Sequence, residues 1–337
     1  MTTMSLDDEA PREIPSPHWV SRQAFSLLLI TLALNQGALF FALFHNWMWL
    51  VIPLALVASH LMHGMLIAFH EASHGLLRKN RRINEIDGIL LGVLSFMSFS
   101  LYRAAHQLHH AQLATERDEE LWPFTHTDIP RWQRILAAAL ELCFGIFFTP
   151  FLFMRIFFRS GSPIRNTKLR RRIWLEIGLM ALVWTAILVG NWLTGGWKYF
   201  IWTYAVPAVI AGNLQSWRKY IEHVGLTGCT VNGSTRSIVS RGPIGKFISL
   251  SLLHEPFHGV HHWRSGLPHP ELPLHEEQLA STRPDEPGPF PSYGHAMIHL
   301  LRNLVDPRVG AQWLAKREAA QPEAAETTPS AAEGACS

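Results

Sequence analysis

The chain has 337 residues, of which 48% are hydrophobic and only 16% are charged. Soluble domains average about 25% charged residues, so this composition argues against an ordinary soluble globular protein. The formal net charge of +3 comes without a basic recognition helix, so we interpret it as a membrane-surface signature and not as a nucleic-acid-binding one. The three cysteines are scattered and form no CxxC pair, which excludes a disulfide framework.

Four apolar stretches predict transmembrane helices arranged as two tight hairpins. No Asp, Glu, Lys or Arg occurs between Gln23 and His70, and about 20 apolar residues suffice to cross a bilayer. The hairpins turn at the polar residues around Asn46 and at the Gly195-Gly196 pair. The predicted spans are residues 24–44, 48–69, 173–193 and 199–217.

Basic residues predict the orientation of these hairpins. Arg and Lys are concentrated in residues 78–82 and 168–172, whereas the hairpin tips carry almost no charge except Lys198. Because cytoplasmic loops carry the excess of Lys and Arg, both hairpins are expected to enter from the cytoplasm and return there. Both termini and the basic loops then lie on the cytoplasmic side of a multi-pass integral membrane protein.

Two further apolar stretches, 87–102 and 135–158, are predicted to be interfacial or re-entrant helices. If the stretch 135–158 alone crossed the membrane, the second hairpin would enter from the opposite side. The alternative is that both stretches cross, in which case the second hairpin keeps its predicted orientation. The predicted organisation is a cytosolic segment 1–23, a membrane domain 24–280 and a cytosolic segment 281–337. The end of the chain, from about Gln321, is expected to be a disordered tail.

Histidine clusters carry the functional information. They follow the patterns HxxxH, HxxHH and HxxHH, and the spacings i, i+3 and i+4 place their imidazoles on one face of a helix. Eight histidines in three such clusters are too many for one zinc ion and suit two metal ions that share a site. The clusters are His70 and His74; His106, His109 and His110; and His258, His261 and His262.

A ninth imidazole, His223, follows the last predicted span as His74 follows the second. All the clusters therefore fall near the cytoplasmic interface, although the topology was derived from Lys and Arg alone. A transporter would place its ligands near the bilayer midplane, and a haem protein would place axial histidines within facing spans. A metal transporter or haem-binding membrane protein remains the non-enzyme alternative.

This series of histidine boxes around two hydrophobic hairpins resembles the membrane fatty acid desaturase superfamily, over about residues 24–273. The resemblance implies a mushroom-shaped all-α fold of four transmembrane helices with a cytosolic cap. It also implies two irons, O₂ as co-substrate, a fatty acyl or lipid substrate, and an external electron donor of the ferredoxin or cytochrome b5 type. The implied metal ligands are His70, His74, His106, His109, His110, His223, His258, His261 and His262.

The sequence does not decide between the branches of the superfamily, because it departs from the motif pattern of each branch. Acyl-CoA desaturases have an asparagine four positions before the lone histidine, where this chain has Lys219, and no fused cytochrome b5 signature is present. The segment around His223 is closer to that of alkane hydroxylases. The leading prediction is an O₂-dependent desaturase, and the alternative is a hydroxylase or ketolase of alkane, acyl or carotenoid chains.

The remaining polar residues near the boxes are predicted to have supporting or ordinary roles. Glu71, Glu222 and Glu255 are candidates to accept the second ring N–H of liganding histidines. His60, His63 and His254 are expected to make structural hydrogen bonds, and Lys219 to extend towards the lipid headgroups. The histidines expected to be ordinary loop or surface residues are His126, His269, His275, His295 and His299.

Overall fold

The computed structural model describes residues 16–319, and its regular elements in that range are helices joined by loops, with one isolated bridge between Ile238 and Phe290. The all-α prediction is therefore confirmed for the described part of the chain. The predicted disordered tail from Gln321 lies outside the described residues, as does most of the predicted N-terminal segment.

Residues 16–319 contain thirteen α-helices, which are numbered in chain order. Their bounds are α1 Trp19–Phe44, α2 Met48–Ser73, α3 Arg81–Leu94, α4 Phe99–Ala111, α5 Arg131–Phe158, α6 Thr167–Thr194, α7 Trp197–Phe200, α8 Val206–His223, α9 Val231–Ser234, α10 Pro243–Ser251, α11 His258–Trp263, α12 Tyr293–Asn303 and α13 Gln312–Ala319. A π-helical turn, Ile201–Ala205, joins α7 to α8, and 3₁₀ turns occupy Glu119–Leu121 and His269–Leu279.

Four of these helices, α1, α2, α5 and α6, are long and apolar enough to cross a membrane. The prediction of a protein with several membrane helices is thus confirmed, and three of the four predicted spans coincide with α1, α2 and α6. The fourth, 199–217, falls on the stack of α7, the π turn and α8. That stack does not pass the same test of length and composition, so its crossing remains a prediction.

Helix α5 covers the stretch predicted to be interfacial, although its length and composition would also allow it to span. The helix is bent at Phe144, whose backbone angles are not helical (φ −132°, ψ 37°). Near its start Arg134 pairs with Asp306, and near its end Arg155 donates to Glu119 at 3.0 Å. Because both ends contact the polar segments that surround the histidines, these contacts favour an interfacial or re-entrant course.

The stretch 87–102 forms parts of α3 and α4, which meet at an angle of 101°. Ser98 caps the first turn of α4 by accepting from the backbone N–H of Leu101 at 3.2 Å. Glu176 of α6 fixes the bend, because its carboxylate accepts from Ser98 Oγ at 2.7 Å and from the Ser100 N–H at 2.8 Å. A bend this sharp agrees with the predicted re-entrant course and turns α4 back towards the ends of α2 and α8.

Helices α2 and α8 pack directly against each other and position the functional site. Helix α2 also packs against α1 and α3, and α8 packs against α5. At the α5–α8 crossing Gly145 permits a close approach, since a Cβ there would lie 2.1 Å from Ser216 Oγ. Both α2 and α8 end in histidine: His74 is the C-cap of α2 and His223 is the last residue of α8.

Candidate metal centre

All nine histidines identified from the sequence converge on one region, in two groups. The ring nitrogens of the first group lie close enough together to share one metal ion, as do those of His109, His223 and His262 in the second. His258 joins the second group through its Nε2 atom, which lies close to those of His223 and His262. The two groups are also adjacent, because the rings of His110 and His262 stack with their centroids 4.3 Å apart. The first histidine group contains His70, His74, His106, His110 and His261, and the second contains His109, His223, His258 and His262.

Each HxxHH box contributes two histidines to one group and one histidine to the other, and the two boxes favour different groups. In α4 the i, i+4 pair His106 and His110 belongs to the first group, whereas His109 belongs to the second. In α11 the i, i+4 pair His258 and His262 belongs to the second group, whereas His261 belongs to the first. Side chains four residues apart point the same way on a helix and the intervening one is rotated, so each box reaches both groups.

The metal-facing atoms are the Nε2 nitrogens. In the first group His106 Nε2 lies 2.8 Å from His70 Nε2 and 3.1 Å from His110 Nε2. In the second group His258 Nε2 lies 2.8 Å from His223 Nε2 and 3.0 Å from His262 Nε2.

In four of the nine histidines the opposite ring nitrogen, Nδ1, donates a hydrogen bond to an acceptor outside the groups. His106 Nδ1 donates to Glu120 at 3.0 Å, and His109 Nδ1 donates to Asp118 at 2.9 Å. His258 Nδ1 donates to Glu255 at 3.0 Å, and His223 Nδ1 donates to the carbonyl oxygen of Ser234 at 3.1 Å. Each of these bonds places the proton on Nδ1 and leaves the Nε2 lone pair directed inwards.

This arrangement fits bound metal ions. When both Nδ1 atoms carry the proton, as in His223 and His258, two lone pairs face each other at 2.8 Å, and a cation between them removes that repulsion. A metal–imidazole bond is about 2.1 Å long, so two ligands at a right angle stand about 3.0 Å apart. Outward hydrogen bonds from liganding histidines are the usual support of a metal site.

Burial favours the neutral form of His258 and His74, whereas Asp118 outweighs the desolvation of His109 and raises its pKa to about 8. Desolvation lowers the pKa of His258 to about 4, against the opposing effect of Glu255. Desolvation, assisted by the neighbouring His70, lowers the pKa of His74 to about 3. A histidine must be neutral to bind a metal, so both rings are in the ligand form at neutral pH.

The centre is closed on most sides and has one open face. Six of the nine histidines are buried, whereas His74, His110 and His262 are partly exposed. Both groups contribute to this face, because His74 and His110 belong to the first group and His262 to the second. The partly exposed residues of the two groups are adjacent, since the rings of His110 and His262 stack.

Comparison with known proteins gives the family. The family model described as fatty acid desaturase matches residues 47–294, which is more than half of the chain and includes all nine histidines. The chain belongs to the fatty acid desaturase family. A curated relative from Bacillus subtilis (strain 168), named fatty acid desaturase, is 23% identical over 181 residues, and the match covers 52% of this chain and 50% of the relative. The chain thus spans about half the length of that relative.

An apolar cavity of about 370 Å³ lies among the membrane helices of this desaturase-family protein, next to residues that contact or adjoin the first histidine group. Near the histidines it is lined by Phe69, which precedes His70, and by Tyr102, whose ring stacks on that of His106 at 5.3 Å. Farther away it is lined by Gln36 of α1 and Thr203 of the π turn. Its volume lies within the usual range for ligand pockets, about 300–1,000 Å³.

The three carboxylates proposed from the sequence have different roles. Glu255 contacts two histidines, since Oε1 lies 3.0 Å from His258 Nδ1 and Oε2 lies 3.3 Å from His70 Nδ1. Glu222 is bound to Arg218. Glu71 faces away from the centre and accepts the backbone N–H of His269 at 2.9 Å.

Two predictions about neighbouring residues were wrong. His269 and His275 were expected in exposed loops, but both are buried, because the 3₁₀ segment His269–Leu279 packs against α11. Lys219 was expected to extend to the headgroups, but its ammonium pairs with the fully buried Glu141 of α5. The buried carboxylate of Glu141 accounts for this position, because a buried charge without a partner is strongly destabilising.

The structural roles expected for two other histidines are present. His60 Nε2 bonds to Ser251 Oγ at 2.8 Å, and His254 bonds to Ser249 and Ser21, each at 3.0 Å. His63 is also buried, but its Nε2 has no hydrogen-bond partner among the described residues.

Sequence reasoning missed Asp118 and Glu120. They lie eight and ten residues after His110, in the acidic run of residues 118–120, and both side chains point back to histidines of α4. A run of buried acids directly after a histidine box is the signal that could have identified them. The middle residue of the run, Glu119, instead pairs with Arg155 and Arg159.

Proposed function

We propose that this protein is an O₂-dependent di-iron desaturase that acts on fatty acyl chains or lipids at the membrane interface. The observation that carries the proposal is that two groups of inward-facing Nε2 atoms lie beside an apolar cavity, separated from it by Phe69 and Tyr102. Membership of the fatty acid desaturase family supports an oxidoreductase of this kind.

The nine histidines would hold the two irons, with five ligands from the first group and four from the second. Irons bound there would supply the O₂-derived oxidant that removes hydrogen from an unactivated methylene. The overall reaction takes –CH₂–CH₂–, O₂, two electrons and two protons to –CH=CH– and two waters. The carboxylates of Asp118, Glu120 and Glu255 hold the imidazole rings in place and keep the proton on Nδ1.

The cavity walls would bind and align the acyl chain. Phe69 and Tyr102 lie between the cavity and the first histidine group, and Tyr102 is held by its parallel stacking on His106. Apolar walls exclude water and favour a hydrocarbon chain through the hydrophobic effect. The methylene that reacts is then the one positioned beside Tyr102, at a distance from the chain's end that the cavity determines.

Electrons would come from an external donor of the ferredoxin or cytochrome b5 type. The face that exposes His74, His110 and His262 is the side from which a donor protein can approach both groups. We propose that this face is cytoplasmic, on the basis of the basic segments at 78–82 and 168–172.

Expression in a host with a simple fatty acid profile tests the function. Mass spectrometry of the host lipids should show a product two hydrogens lighter than its precursor. The His262→Ala variant should give no product, whereas His295→Ala, which changes an exposed residue, should match the wild type. A product heavier by one oxygen would instead identify a hydroxylase, and the absence of any new product would contradict the proposal.

A further inference from the structure

Glu255 lies between the two histidine groups and contacts both. Its Oε2 atom is 3.3 Å from Nδ1 of His70, in the first group, and its Oε1 atom is 3.0 Å from Nδ1 of His258, in the second. The side chain is only 2% exposed. The contact with His258 is a hydrogen bond, whereas His70 Nδ1 makes no hydrogen bond among the described residues and lies against the charge of Oε2. One carboxylate therefore holds a ring of the second group and places its negative charge beside a ring of the first.

The other buried carboxylates that contact liganding histidines through Nδ1 each serve one group. Glu120 accepts from His106 of the first group, and Asp118 accepts from His109 of the second. Asp118 uses the same oxygen to accept the backbone N–H of Ala114 at 3.0 Å, which anchors it to its own loop. Glu255 is therefore the carboxylate, among the described residues, whose contacts with Nδ1 atoms join the two groups.

Arg218 of α8 holds Glu255 in this position. Its Nη1 donates to Glu255 Oε1 at 2.9 Å and to Glu222 Oε2 at 2.6 Å, and the arginine is 6% exposed. The cation offsets the charge of the carboxylate, which would otherwise be costly to bury. The same contacts link Glu255 to α8, the helix that ends at His223.

The backbone before Glu255 is shaped to turn it inwards. Leu253 and His254 both have positive φ angles, 48° and 58°, although neither is a glycine. Such left-handed residues persist only where the surrounding structure holds them. His254 is held by its bonds to Ser249 and to Ser21 of α1, so the strained turn fixes the direction of the next side chain.

We infer that Glu255 is a positioning residue shared by the two metal ions, and that the retention of each ion depends on it. The inference rests on the proposed di-iron function. With Glu255 in place, His70 and His258 are oriented by the same carboxylate, so displacement of that carboxylate disturbs one ligand in each group. Removal of Glu120 or Asp118 disturbs a ligand in one group only.

Iron release tests the inference without any measurement of turnover. The purified protein in detergent is loaded anaerobically with Fe²⁺, mixed with excess ferrous chelator, and followed by the absorbance of the chelator complex. In Glu255→Ala the whole two-iron amplitude should be released about tenfold faster or more, the usual effect of losing an outer hydrogen-bond partner. In the matched controls Glu120→Ala and Asp118→Ala, a one-iron amplitude should accelerate and the other should keep the wild-type rate.

Glu255→Gln keeps the side-chain volume and guards against a folding defect in the alanine variant. An amide lacks the negative charge that lies against both imidazoles, and its NH₂ is a donor that would face the Nδ1 atom of one of them. Both irons should again leave faster. Acceleration of a one-iron amplitude only, or of neither, in these Glu255 variants would overturn the inference.

The results of the two assays distinguish a failure of this inference from a failure of the proposed reaction. A wild-type protein that holds fewer than two irons would overturn the inference together with the di-iron centre. Two irons that both respond to Glu255, in a protein that yields no unsaturated product in the host assay, would uphold the inference and overturn the proposed reaction alone.

Discussion

Replacement of Lys219 by methionine should destabilise the protein without loss of iron. The ammonium of Lys219 pairs with Glu141, whose side chain has no exposed surface and whose Oε2 also accepts from Tyr220 at 3.1 Å. Lys219→Met keeps most of the side-chain volume and leaves the carboxylate with the tyrosine alone. Because Lys219 contacts none of the nine histidines through a hydrogen bond, the iron content should match the wild type.

The expected cost follows from the burial of the pair. Removing one partner of a buried ion pair costs about 3–5 kcal/mol, because the other charge stays buried and uncompensated. Lys219 retains 13% of its exposure and Tyr220 still donates to Glu141, so the lower end, about 3 kcal/mol, applies. At about 2 °C per kcal/mol for a large domain, the apparent Tm should fall by roughly 6 °C.

The assay is thermal unfolding in one detergent at a fixed scan rate, since unfolding of such a protein is not reversible. The matched control is the double variant Lys219→Met with Glu141→Gln, in which no charge is left without a partner. Its Tm should return to within about 2 °C of the wild type, as replacement of a whole buried pair is often neutral. If Lys219→Met alone unfolds at the wild-type temperature, the lysine lies free at the headgroups and the ion-pair argument is wrong.

Three further predictions concern the centre, the cavity and the effect of pH. His106→Ala and His262→Ala should each abolish turnover and lower the bound iron measured by elemental analysis, while the protein still inserts into the membrane because its apolar helices are unchanged. Ala211→Phe adds a ring to the cavity wall, so lipid analysis should show a shift to shorter acyl products or lower turnover at unchanged iron content. Burial lowers the pKa of His254 to about 4, which is below the value of about 6.5 in the unfolded chain. The contribution of His254 to the free energy of unfolding should therefore be constant above pH 6.5. Between pH 6.5 and pH 4 it should fall by up to about 1.4 kcal/mol per pH unit. His254→Asn should flatten that part of a Tm-against-pH series, and an unchanged slope would show that His254 does not titrate there.

The convergence of the histidines was predictable because helical spacing is a local property. His106, His109 and His110 had to share a face of any helix that contained them. Their division into two groups was not predictable, since it depends on how α4 and α11 are placed relative to α2 and α8. Long-range contacts of this kind leave no periodic signal in the sequence.

The errors have the same origin. Lys219 was interpreted from its position at the end of an apolar segment, and nothing in that segment indicates that Glu141, 78 positions earlier, packs beside it. His269 lies between Pro268 and Pro270 in a region that resembles an exposed loop, yet its backbone N–H binds Glu71 of α2. Burial of polar residues depends on partners far away in the chain, and composition describes only near neighbours.

The course of α5 decides on which side of the membrane the loop after it lies. Asp306 and Glu119, the partners of Arg134 and Arg155 near the two ends of α5, belong to segments around the histidines. A helix that crossed the bilayer would carry one of these arginines to the opposite surface, where neither partner could follow it. A single cysteine at Ser160, which is exposed, in a variant whose native cysteines are replaced, should therefore react with an impermeant thiol reagent from the same side as a cysteine at Lys79. The contrary result is that the cysteine at Ser160 reacts from the opposite side, the side from which a cysteine at Asn46 in the α1–α2 turn reacts. That result would show that α5 spans the membrane and that the second pair of helices enters from the other surface.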